Sequence, residues 1–395
     1  MSIYDRFNVR TIINAKGPST RLSGGFLDAE VAAAMTEAGT FCVEMAELHA
    51  GASKVIAEVT GAEAGLVTSG AAAGLLLGTA ACITGLDPGK MGRLPDTSGM
   101  KNEVVMVRSQ RNFYDHAVRT CGVRIVEVGL PDRYAGAGVR DAEAWEIQDA
   151  ITDRTAAVFY VATGSAQPPL PAVVKMAHQA GVPVLVDAAG QLPPASNLRR
   201  FIEEGADLAA FSGGKAIGGP QGSGILAGKR DLVMSALLQH LDLDIFWEQW
   251  APPKSLIDKH RLRGAPQHGI GRPCKVGKET IIGLLVALQR FAAESDQDRS
   301  RRLLGLVNRL QSALAGVDHA RIQVTGGSVP KLELHITKEA PRNALDLCIE
   351  LERGTPSIHA DPSQAHAGVV RFSPWCLRDE DPDKIAARVK PLLRY

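Results

Sequence analysis

Three short segments of this chain hold side chains that can do chemistry, and each stands where a β-rich run gives way to a turn. Thr68-Ser69-Gly70-Ala71 feeds a helix, so its free backbone N–H groups and the positive end of the helix dipole suit a phosphate. Val184-Leu185-Val186-Asp187 is an apolar run closed by a carboxylate. Phe211-Ser212-Gly213-Gly214-Lys215 is followed by Gly218-Gly219-Pro220-Gln221-Gly222, a lysine set among glycines. Each segment alone is structural more often than functional. In this order they match the needs of pyridoxal 5′-phosphate (PLP): a lysine for the imine (Lys215), an acid to keep the pyridine nitrogen protonated (Asp187), and phosphate donors (Ser69, Gly70, Ala71, with Ser212).

Those segments need a scaffold that brings strand ends together. Between about residues 50 and 235 helical patterns alternate with candidate strands at 103–107, 124–128, 156–161, 182–186, 208–211 and 224–227. This is the pattern of βαβ units around a mostly parallel sheet, and such sheets bind ligands at the carboxyl ends of their strands. Residues 64–86 carry no charge, but their five glycines and the Ser69-Gly70 turn divide them into a short strand, a turn and a small-residue helix that can lie close to a packed neighbour. After residue 240 come a Trp- and Pro-containing stretch, a basic loop over 261–278 and a long helical run from 279 to about 315. Strands at 322–324, 331–336 and 369–372 with a helix at 342–353 imply a small α+β C-terminal domain. The expected division is an N-terminal segment 1–50, a large domain 51–290 and a small domain 291–395.

Composition narrows the partners. The 44 basic and 43 acidic side chains leave a net charge of +1, so no global field favours nucleic acid or a membrane surface, and a small molecule is the expected partner. Six widely spaced cysteines without a C-x-x-C pair, and an N-terminus without an apolar leader, fit reduced thiols in a cytoplasmic enzyme. His359 and His366 have no metal-ligand spacing, and no metal is expected.

The lysine segment resembles that of selenocysteine synthase (L-seryl-tRNA(Sec) selenium transferase), and more nearly that of the shorter relatives typified by D-glucosaminate-6-phosphate ammonia-lyase. Ile13-Asn14-Ala15-Lys16-Gly17, Val59-Thr60-Gly61-Ala62-Glu63-Ala64, Tyr114-Asp115-His116-Ala117 and Lys275-Val276-Gly277-Lys278-Glu279 also look like landmarks of that family. The resemblance runs over residues 10–290. It implies the three-layer, mostly parallel fold type I of the PLP-dependent transferases (aspartate aminotransferase-like), and a homodimer or higher homo-oligomer. Family-like sequence begins near Ile12, leaving no room for a tRNA-binding domain, which disfavours a tRNA substrate.

Gln110 stands where relatives often have the histidine of the cofactor ring stack, so Tyr114 and His116 become the candidates, His116 being equally readable as an ordinary helix residue. By the same resemblance Arg21, Arg272, Lys275 and Arg371 are candidates for substrate binding. The basic loop with Arg272, Lys275 and Lys278 is open to three readings: the cofactor phosphate of a neighbouring subunit, a substrate anion, or a solvated face. The implied reaction is α,β-elimination on a small amino acid or amino sugar acid, Lys215 taking the Cα proton and ammonia leaving with a 2-keto acid. A racemase, a C–S or C–Se lyase and a β-replacement enzyme would use the same groups. A non-catalytic PLP-binding regulator is the reading from another class.

Overall fold

The structure is a computed structural model and describes residues 2–130 and 141–394. Contacts divide the chain into two compact units, Leu27–Ala292 and Met1–Phe26 with Ala293–Tyr395.

Strand β1 (Ile12–Asn14) belongs to the smaller unit. The larger unit is built on β2 (Ala64–Thr68), β3 (Glu103–Val107), β4 (Arg124–Val128), β5 (Thr155–Val161), β6 (Val184–Asp187), β7 (Leu208–Ser212) and β8 (Gly224–Gly228). They form a seven-stranded sheet in the order β2-β8-β7-β6-β5-β3-β4. Strands β3 to β7 pair in parallel, and β8 runs antiparallel between β2 and β7. The apolar runs are continuous because both faces are covered. Val184 and Val186 enter one core while Leu185 enters the other, and Ile225 and Ala227 alternate in the same way with Leu226.

Helix Ala71–Thr84 is buried on nearly every side, as its uncharged sequence requires. A Cβ at Gly78 would stand 3.1 Å from Leu185 and 3.2 Å from Leu208, so glycine lets this helix lie directly on the sheet. Among the described residues no helix is long and apolar enough to cross a membrane.

The smaller unit adds β9 (Ala320–Thr325), β10 (Lys331–Ile336), β11 (Ser357–His359) and β12 (Val369–Phe372). Strands β9, β10 and β12 make an antiparallel sheet with β10 in the middle, and β1 pairs in parallel with β11. Their apolar sides share one core with Leu347, Leu351 and Ile385.

The N-terminal segment 1–50 is therefore not a separate body. Residues 1–26 join the C-terminal part because β1 pairs with β11 and Ser373 N donates to Ala15 O at 2.7 Å. The Asn14 side chain closes the turn there, donating to Gly17 O (3.1 Å) and Gly24 O (2.8 Å) and accepting from the backbone of Lys16 and Gly17. From Leu27 onward the chain belongs to the large unit, where Arg290 pairs with Asp28 and Glu30. The single helical run expected over 279–315 is two helices, Lys278–Ala293 and Asp296–Ala313, because Ser295 caps the second by accepting from Asp298 N. The unit boundary at Ala292/Ala293 falls at the end of the first.

Candidate cofactor site

Sheet topology gathers the three segments at one edge. Strands β2, β6 and β7 run in the same direction, and their carboxyl ends release Ser69, Asp187 and the Gly213–Lys215 turn respectively. In register, Ser212 and Thr68 both face Gly224, where β8 enters from that same edge.

The Ser69-Gly70-Ala71 turn depends on two glycines. Gly70 precedes the helix with φ +99°, a left-handed conformation that favours glycine, and it leaves the first-turn N–H groups without acceptors inside the helix. Gly224 lies beneath the turn, where a Cβ would meet Gly70 C at 2.4 Å and Ala71 N at 2.6 Å. Thr68 Oγ1 donates to Gly70 O (2.8 Å), fixing the peptide. Ser69 is engaged in a way the sequence does not reveal: its Oγ donates to Cys274 O at 2.8 Å.

Asp187 is the buried carboxylate of the site, 7% exposed. Burial pushes its carboxyl above the ordinary range, while a hydrogen bond from Ala189 N (3.0 Å) and the charge of Lys215 pull it back. A carboxylate in this position gains by meeting a protonated nitrogen.

The glycines before Lys215 are there for packing. A Cβ at Gly213 would strike Ser223 Oγ at 2.3 Å, and one at Gly214 would strike Gln221 backbone at 2.6 Å. Gly218 N then donates to Lys215 O and closes the turn, leaving the Lys215 side chain exposed at the sheet edge. Ser212, half-buried, has no side-chain partner among the described residues.

The other expected residues fare differently. Tyr114 (63% exposed) and His116 stand in solvent at the start of helix Asp115–Arg119. Gln110 is buried, with its amide bonded to Val161 N (2.9 Å) and Gln167 O (3.2 Å); it braces the end of β5, whose Val161 pairs with Asp187. Arg272 is tied down, one Nη to His240 O and the other to Asp242, each at 2.9 Å.

In the smaller unit, Arg21 is exposed and 3.3 Å from Glu352. Arg371 bonds Glu333 across the β10–β12 pair at 2.8 Å, so the guanidinium expected to take a substrate carboxylate already holds a protein one. Glu333, 38 residues away in sequence, and the Cys274 carbonyl carry no local signal of these roles.

The family model of class-V aminotransferases matches residues 25–241, the span from the start of the large unit through β8. The chain belongs to this family. Class-V aminotransferases are PLP-dependent enzymes of fold type I. Among characterised relatives, 5′-C-glycyluridine monooxygenase-decarboxylase of a Streptomyces species is 31% identical, with 99% of this chain and 92% of the relative covered. D-glucosaminate-6-phosphate ammonia lyase of Salmonella typhimurium is 28% identical over 100% of this chain and 98% of its own. The solved structure of a D-glucosaminate-6-phosphate ammonia-lyase superposes with a TM-score of 0.81 at 27% identity, covering 100% of this chain and 98% of the other. Selenocysteine synthases also match, among them that of Geotalea uraniireducens at 27% identity over 72% of this chain and 59% of theirs.

PLP fits this class-V site by the chemistry of its donors. An open helix N-terminus, a buried carboxyl held above its usual range and an exposed lysine share one sheet edge, and each suits a different part of the cofactor.

Proposed function

We propose that this chain is a PLP-dependent lyase that performs α,β-elimination on a small amino acid or amino sugar acid, releasing ammonia and a 2-keto acid. The observation that carries the reading is the meeting of Lys215 and Asp187 at the ends of adjacent strands β7 and β6, in a chain similar along its whole length to an ammonia-lyase. Lys215 would hold the cofactor covalently, yield it to the substrate amine, and then take the proton from Cα with its freed Nζ. Asp187 would keep a proton on the ring nitrogen. The N–H groups of the Ser69-Gly70-Ala71 turn and the Ser212 hydroxyl would bind the phosphate. Bound PLP supplies the electron sink for the pair left at Cα. The β-substituent would leave with its electrons, Lys215 Nζ would retake the cofactor and free the product with its nitrogen, and one water would hydrolyse that released imine to 2-keto acid and ammonia.

Tyr114 and His116 remain the candidates beside the ring, and Arg21 the candidate for substrate in the smaller unit. The enzyme would work in the cytoplasm as a homodimer or larger homo-oligomer, which light scattering on the purified protein checks.

A second reading is favoured by one observation. The monooxygenase-decarboxylase relative is as extensively similar as the ammonia-lyase, and PLP with a lysine and an aspartate serves loss of carboxylate as well as loss of a Cα proton. One experiment tests both. Amino acids, phosphorylated amino sugar acids and glycyl nucleosides are supplied to the PLP-loaded protein while ammonia, keto acid, carbon dioxide and dissolved oxygen are followed. Ammonia and keto acid in equal amounts without oxygen uptake support elimination; carbon dioxide release with oxygen uptake overturns it in favour of the second reading. Lys215→Ala must lose the visible band of lysine-bound PLP and all turnover.

A further inference from the structure

The basic loop, which the sequence leaves open to a neighbour's cofactor phosphate, a substrate anion or solvent, is fastened to the Ser69-Gly70 turn of its own chain. Ser69 Oγ donates to Cys274 O at 2.8 Å across 205 residues of sequence. Gly271 lies against the helix that follows the turn, where a Cβ would meet Leu77 Cδ2 at 2.4 Å, and its N–H donates to Gln239 O at 3.0 Å. The peptide joining Cys274 to Lys275 is thus anchored at the turn that receives the phosphate.

Of the five Lys and Arg side chains of the loop, the three that flank the anchored peptide are not equivalent. Arg272 is committed to His240 O and Asp242, and Lys278 pairs with Glu279. Lys275 is exposed, and its amine has no partner among the described residues.

The turn itself contains no cation, and the helix N-terminus offers only about half a charge against a phosphate monoester's charge of roughly −1.5 to −2. A hydroxyl has a single proton. With that proton given to Cys274 O, the Ser69 side chain is spent as a donor. We propose that Ser69 is a latch that carries Lys275 to the phosphate turn of the same chain, and that Lys275 is the cation that meets the cofactor phosphate. This inference rests on the PLP reading above. Ser69 is accordingly a positioning residue, and its backbone N–H, not its hydroxyl, belongs to the phosphate cradle.

The test is a double-mutant cycle on cofactor affinity. Apo-protein of the unaltered chain, Ser69→Ala, Lys275→Gln and the double variant is titrated with PLP and with pyridoxal, which lacks the phosphate, and the visible band is read in each. Lys275→Gln should weaken PLP on the order of 10- to 100-fold, the loss of one charge-assisted hydrogen bond, and leave pyridoxal unchanged. It should also flatten the dependence of PLP affinity on salt. Ser69→Ala should weaken PLP in the otherwise unaltered chain and add nothing once Lys275 is gone, and Ser69→Thr should restore binding.

An unchanged PLP affinity in Lys275→Gln overturns the proposal. So does a Ser69→Ala effect of full size in the Lys275→Gln background, because the hydroxyl would then be a phosphate ligand in its own right. If the unaltered chain forms no visible band with PLP, the cofactor reading itself fails, an outcome distinct from either of these. Lys275 is exposed, so its variant tests the claim without disturbing the core.

Discussion

Asp187→Asn separates the cost of the site from its use. The substitution keeps the shape of the side chain and the hydrogen bond from Ala189 N at 3.0 Å, since an amide oxygen accepts as well as a carboxylate. It removes a charge that is 7% exposed and whose carboxyl is raised by burial. Removing a poorly solvated charge relieves a desolvation penalty, against which stands the lost attraction to exposed Lys215, a weak opposing term. The apo-protein should therefore be no less stable at neutral pH, and more stable by about 1 kcal/mol.

The sign with pH follows from the raised carboxyl. Between the unfolded aspartate value of about 3.9 and its higher folded value, the native state binds the extra proton, so this group's contribution falls as pH rises through that window. The advantage of the asparagine chain should then shrink as pH falls through that window and be gone below about 4. Catalysis should move the other way. Loss of one preorganised charge at the reacting system costs on the order of 10²- to 10³-fold in rate. Urea unfolding of apo-protein at pH 7 and pH 4, with turnover of the loaded enzyme, measures all three. If the asparagine variant is destabilised by more than about 1 kcal/mol at pH 7, the assignment of Asp187 as a strained cofactor partner fails and it is an ordinary structural carboxylate.

Other expectations can be checked with the same preparations. Gly224→Ala forces a methyl against Gly70 and Ala71, and should cost about 1–3 kcal/mol of stability and weaken PLP more than pyridoxal, read by unfolding and by titration. His49 and His240 are buried edge to face with ring centroids 5.5 Å apart; burial, then each one's charged neighbour, lowers them to about 3 and about 4. The unfolded chain binds those protons first, so stability should be lost as pH falls from about 6.5 toward 4, each histidine approaching about 1.4 kcal/mol per pH unit, and His49→Phe should remove about half of that slope in urea unfolding. Arg371→Gln leaves the largely buried Glu333 without its guanidinium and should destabilise the chain by about 3 kcal/mol, while adding Glu333→Gln restores most of it. A rise in KM that persists in that double variant would show that Arg371 binds substrate after all.

What could be read from the sequence divides along a physical line. Lys215, Asp187 and the Ser69 turn are legible because their placement follows from local rules: an apolar strand, buried on both faces, must surface at its carboxyl end, and the glycines mark where the chain turns. Strands 331–336 and 369–372 come out at β10 and β12 for the same reason, with β-rich runs bounded by turns. The misplacements depend on partners far away in sequence. Residues 1–26 read as part of one N-terminal segment 1–50 until β1 is seen beside β11, more than 300 residues later. Arg371 reads as a free cation until Glu333 is seen on the neighbouring strand.

The same line explains why cofactor chemistry is easier to infer than its outcome. Lysine, aspartate and phosphate turn are common to every fate of a substrate on PLP, which is how relatives with 31% and 28% identity bear names for different reactions. What separates those fates is which bond at Cα is held in line with the electron sink, and that is set by the groups gripping the substrate's carboxylate and side chain. With Arg272 and Arg371 both engaged inside the protein, a substrate anion must either displace a resident carboxylate or find another cation. Displacing Glu333 would strip a mostly buried carboxylate of its guanidinium and leave it only the His335 ring, 3.2 Å away, which costs energy and argues for the second course.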